Sequence, residues 1–99
     1  MTKTEQENHF KELTELMQHT LFSKGDDYAN QDRLSNFKTT ANIIGTTPEL
    51  SCLNLIAVKV ARLGVLLNSK DKPKNESIQD SVLDLANYSV LLHMILNDK

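Results

Sequence analysis

The sequence predicts an all-α fold, a four-helix antiparallel bundle in a single domain spanning residues 1–99, and three observations carry that prediction. Apolar residues recur at three- and four-residue spacing through most of the chain. No stretch alternates with the period of two that a strand requires. Only three Gly and two Pro interrupt the 99 residues, so the helices should be long and the turns few. A chain of this length supports one core and leaves little for a deep, private active site. A homo-oligomer with a site at or near its interface is therefore expected.

The first helix is placed at about residues 5–23, where Phe10, Leu13, Met17 and Leu21, with Leu16 beside them, form one stripe expected to be buried. Lys24-Gly25 follows, a cation at the negative end of the dipole and then a residue tolerant of positive φ, so the helix should stop there. Residues 26–30 read as a loop. The second helix is placed at about 32–44, with Leu34, Phe37, Ala41 and Ile44 on one side and Gly45 closing it.

Thr46-Thr47-Pro48-Glu49 is a start signal for the third helix, at 48–68: a threonine can cap, Pro48 suits the first turn, and Glu49 favours the positive end of the dipole. This helix is apolar almost all round and should be the central, most buried element. Residues 68–75 are polar, contain Pro73 and make a surface connection. The fourth helix is placed at about 76–96.

Several function classes are disfavoured. The formal charge of −2 offers no broad basic field for a polyanion, so no duplex nucleic acid is expected as a partner. Cys52 is the single cysteine, which fits a reducing compartment and a cytoplasmic location. The polar, acidic start has no signal-peptide core. No segment reaches membrane-spanning length without a charge, because Lys59 and Arg62 interrupt the most apolar one, so no membrane association is expected. His9, His19 and His93 share no metal-ligand spacing, and Cys52 has no His or Asp at a telling distance, so both read as packing or surface residues.

The chemistry-bearing pattern lies on the last two helices. Lys59 and Arg62 are the only charges between Leu50 and Leu67 and stand about 60° apart on the helical wheel, among Cys52, Leu55, Leu63 and Leu66. Cations emerging from an apolar face demand anionic partners. Glu76, Asp80 and Asp84, spaced by four with Tyr88 continuing the row, supply them, each turned about 40° from the last. Like charges at that spacing repel unless neutralised, either by the two cations or by Mg²⁺ bridging two carboxylates to a ligand's phosphates. A purely structural account competes: Asp80 completing a capping box with Ser77, Asp84 a solvated helix charge, and the two cations snorkelling to the surface.

Three segments, Lys24-Gly25-Asp26-Asp27-Tyr28 with Asn36-Phe37, then Lys59-Val60-Ala61-Arg62-Leu63, then Glu76 to Asp80 running through Asp84 to Asn87-Tyr88, give the chain a resemblance. Over roughly residues 21–94 it resembles the phage and bacterial nucleotide-modification-associated helical domains, which are similar to the all-α MazG-like nucleotide pyrophosphohydrolases. The resemblance implies Mg²⁺ held by acidic pairs and places Glu76, Asp80 and Asp84 in the second of them. The chain departs from that pattern where Lys59 and Arg62 stand in place of the first pair. Loss of hydrolysis with retention of nucleotide binding follows as the leading expectation. Its binding residues are Lys24, Tyr28, Asn36, Lys59, Arg62, Asp80 and Asp84, its metal residues Glu76, Asp80 and Asp84, and its setting the host cytoplasm if the chain is phage-encoded. The alternatives are a Mg²⁺-dependent nucleotide pyrophosphohydrolase, and a helical module for self-assembly or host-protein interaction without a ligand.

Overall fold

A computed structural model describes residues 1–26, 32–70 and 75–98, with the side chains of 24–26 and 75–76 excepted. It shows the all-α, four-helix architecture expected: α1 Lys3–Asp26, α2 Ser35–Ile44, α3 Pro48–Asn68 and α4 Asn75–Asn97, with no strand among the described residues. The chain forms two compact units, Met1–Gln31 and Asp32–Lys99.

In the first unit α1 begins earlier than its apolar stripe suggests, because Thr2 and Glu5 form a capping box. Thr2 Oγ1 accepts from the Glu5 amide at 3.2 Å, and Glu5 Oε2 accepts from the Thr2 amide at 3.1 Å. The helix also continues through Lys24-Gly25 to Asp26 instead of stopping there. A lone glycine lowers helix propensity by about 1 kcal/mol, too little to end a helix of six turns. The stripe itself is present but not buried: Phe10, Leu13 and Leu16 are exposed, and Met17 and Leu21 only half-buried.

The second unit is built on α3. Helix α2 starts three residues later than expected because Asp32 turns the chain first: its Oδ1 accepts from the Leu34 amide at 3.0 Å and its carbonyl from the Ser35 amide at 3.1 Å. Gly45 ends α2 in the left-handed region, φ 71° and ψ 42°, while the Gly45 and Thr46 amides both return to the Ala41 carbonyl. Thr47 caps α3, its Oγ1 accepting from the Leu50 amide at 3.2 Å, and Pro48 occupies the first turn.

Helix α3 packs against α4, and α2 against α3. The α3–α4 pairing is antiparallel, since Cys52 meets Tyr88 while Lys59, seven residues on, meets Asp84. Leu34, Phe37, Cys52 and Ile95 form the core, with Leu55, Ile56, Tyr88, Leu91 and Leu92 packed on it.

The expectation that α3 is the most buried element is corrected: only Ser51 and Cys52 are buried on it. Leu50, Leu53, Val58, Val60, Val65 and Leu67 keep between 48% and 72% of their surface exposed. Hydropathy reports what a helix tolerates against it, not what the chain supplies, and here the supply covers one face. Covering the exposed parts of those six side chains would be worth roughly 5–9 kcal/mol. By length and composition α3 also suffices to cross a membrane, with mean hydropathy 1.8, and Lys59 and Arg62 do not disqualify it.

A clasp closes the unit at the surface. Lys38 Nζ donates to Asp32 Oδ2 at 2.6 Å and lies 2.9 Å from Asp98 Oδ2, tying the start of α2 to the end of α4. The Lys38 hydrogen bond is the main cause holding the Asp32 carboxyl below its ordinary 3.8, and the Asp32 and Asp98 bonds raise Lys38 above its ordinary 10.5. The carboxylate's contribution is complete above pH 3.8 and lost as pH falls through the lowered folded value. The lysine's is complete below 10.5 and lost as pH rises through the raised one. All three groups are exposed, so the effect is small and screened by salt.

Two tests follow. Gly45→Ala should cost about 1–2 kcal/mol in urea unfolding, chiefly as backbone strain, because no heavy atom of the described residues lies within 4 Å of the added Cβ. Lys38→Met should lower the melting temperature at neutral pH and low salt, and that deficit should shrink in melts taken below pH 3.8. An undiminished deficit in acid would assign the loss to packing of the lysine stem instead.

Candidate functional site

Two of the expected site residues meet on facing helices. Lys59 Nζ lies 2.9 Å from Asp84 Oδ2, with 24% and 21% of the two side chains exposed. Both helices place these residues by their apolar registers. On α3, Leu55, Leu63 and Leu66 share the half-buried face with Lys59; on α4, Leu85, Tyr88 and Leu92 are half-buried near Asp84's turns. An ammonium and a carboxylate removed this far from water interact far more strongly than a surface pair, provided each keeps the other.

Helical rotation separates their neighbours from this contact. Arg62, about 60° round α3 from Lys59, is exposed, and so is Asp80, about 40° round α4 from Asp84. No ion pair joins Arg62 to Asp80. The row Asp80, Asp84, Tyr88 thus winds from solvent into the interface, with Tyr88 packed against the core. Ser77 lies inside α4, its carbonyl accepting from Ser81 Oγ at 2.9 Å, so it does not cap the helix with Asp80.

Asn36 is exposed on α2, with no hydrogen bond or ion pair to Lys59 or Asp84 among the described residues. Tyr28 and the side chains of Lys24 and Glu76 lie outside the described residues. Among those described, no three His, Cys, Asp or Glu side chains gather closely enough to hold a metal ion. Asp84 is engaged by an ammonium, and Asp80 faces solvent.

Cys52 is fully buried, donates from Sγ to the Tyr88 carbonyl at 3.4 Å, and has its thiol pushed up from 9.0 by burial, all properties of a packing residue. The Lys38 clasp is the polar cluster that sequence reasoning missed. Asp32 and Lys38 are six apart on the chain, and Asp98 is sixty further on, so no periodicity links the three.

What this arrangement offers chemically is one half-buried, oriented ammonium and one exposed guanidinium a turn away, at the border of an uncharged surface. Such a pair binds anionic oxygens: Lys59 has donors beyond the one spent on Asp84, and Arg62 presents a planar fork. Comparison with protein families, with characterised proteins and with solved structures found no match for this chain.

The pair's energetic status can be measured. Lys59→Met removes one partner of a partly buried carboxylate and should cost about 1–3 kcal/mol. Lys59→Met with Asp84→Leu should cost less than the sum of the two single changes, by about 0.5–3 kcal/mol in a double-mutant cycle. Strict additivity would mean that the two groups do not depend on each other.

Proposed function

We propose that this chain binds a nucleotide or a nucleotide-derived small molecule, with Arg62 and Lys59 contacting phosphate and Asp84 positioning Lys59. The observation supporting this is the half-buried Lys59–Asp84 pair with Arg62 exposed one turn away. A salt bridge alone would account for the pair. Arg62, one turn away and exposed, adds a second cation that the pair does not use.

Charge-assisted bonds from a guanidinium and an ammonium suit a phosphate, and Asp84 would keep the ammonium aimed before the ligand arrives. Asn36 and Asp80, on the same unit, complete the proposed set. The resemblance to nucleotide-modification-associated domains supports a phage or bacterial setting, in which the protein would act in the cytoplasm by sequestering a nucleotide signal and not by consuming it.

Equilibrium titration against mono-, di- and cyclic nucleotides tests this. Saturable binding should weaken by about tenfold or more in Arg62→Ala, since losing a charged hydrogen bond costs that much. Arg62 is exposed, so the variant should fold. Binding by no member of the panel overturns the proposal. Mg²⁺-dependent pyrophosphate release abolished by Asp80→Asn would replace sequestration with hydrolysis.

A further inference from the structure

The uncovered face of α3 carries a pattern of its own. Leu50, Leu53, Ala57, Val60, Gly64 and Leu67 follow one another at steps of three, four, three, four and three, which is the seam of a coiled coil. All six are exposed. From Leu50 to Asn68 this side of the helix bears no charge, since Lys59 and Arg62 lie on the face and flank turned toward α4. A heptad seam is complementary to another helix, not to a flat or irregular surface.

The sizes along the seam identify that helix. When two copies of α3 cross antiparallel about the midpoint between residues 57 and 60, Leu53 falls opposite Gly64 of the other copy, and Val60 opposite Ala57. Large side chains then meet small ones at every inner layer, and Leu50 meets Leu67 at both ends. A charge-free face creates no like-charge conflict when it meets itself, and both copies bury their seams in the same event.

Gly64 gives independent support. It stands in mid-helix, where glycine weakens a helix relative to alanine, yet nothing among the described residues lies within 4 Å of the position its Cβ would take. Its smallness serves no contact with the described residues. A leucine from outside would use that space.

We infer that the exposed seam of α3 is the docking surface for a second copy of this chain, packed antiparallel with Leu53 over Gly64. A membrane fits the same hydropathy less well. A helix lying at a lipid interface is rich in Lys and Arg on its polar side. The polar side of α3 holds only two cations, one of them an ammonium already committed to Asp84, and inserting the packed α3–α4 pair would carry Arg62, Asp80 and Asp84 into lipid.

Sedimentation equilibrium of the full chain tests the assignment. The parent should self-associate, and Gly64→Leu should weaken association by about tenfold or more while leaving helicity intact, because the space is open in the single chain and filled in the pair. Leu53→Ala added to Gly64→Leu exchanges large for small across the layer and should restore association. A monomeric parent, association indifferent to Gly64→Leu, or failure of the exchange to restore it would each overturn the assignment. Cosedimentation of the parent with phosphatidylcholine vesicles in place of self-association would assign the face to lipid.

Discussion

The contact of α3 with α4 is the constraint on which the second unit depends. Cys52 and Tyr88 fix one point of it, Lys59 and Asp84 another, and the core residues Leu34, Phe37 and Ile95 assemble around the first. A lysine on an otherwise apolar face needs a carboxylate at the opposing position, and a carboxylate needs the lysine. Each helix therefore selects the register of the other. Apolar packing alone would tolerate a slide of one turn; the pair does not.

Where the sequence was legible, the signal was local and chemical. Thr47-Pro48-Glu49 and Gly45 marked the ends of α3 and α2 because capping and positive φ are properties of single residues. The start of α1 was equally written, in Thr2 and Glu5, but an apolar stripe beginning at Phe10 drew the boundary inward. Lys59 with Arg62 could be set against the row Glu76, Asp80 and Asp84 from sequence because cations on an apolar helix need acids opposite, and the structure pairs Lys59 with Asp84. Arg62 and Asp80 could not be placed with equal success, since rotations of 60° and 40° decide between interface and solvent and a wheel does not show the partner's width.

Burial was the poorest reading, and for a physical reason. The aliphatic residues of α3 state that water is unfavourable on every side, but only the other helices decide how many sides are covered. Here α2 and α4 cover one. The helix is consequently two-faced in a manner that composition hides: one apolar face carries the oriented ammonium, and the other is uncharged throughout. A domain that presents chemistry on one side of a helix and bare hydrocarbon on the other is poorly suited to remain solitary, whatever its ligand.

The corner between α2 and α3 has a consequence of its own. Only three residues, 45 to 47, separate the helices, and all three are occupied: Gly45 and Thr46 by the Ala41 carbonyl, Thr47 by the Leu50 amide. Bonds at all three positions restrain the joint, and α2 lies packed on α3 beyond it. The Lys38 clasp to Asp98 therefore draws on a helix already held at its other end.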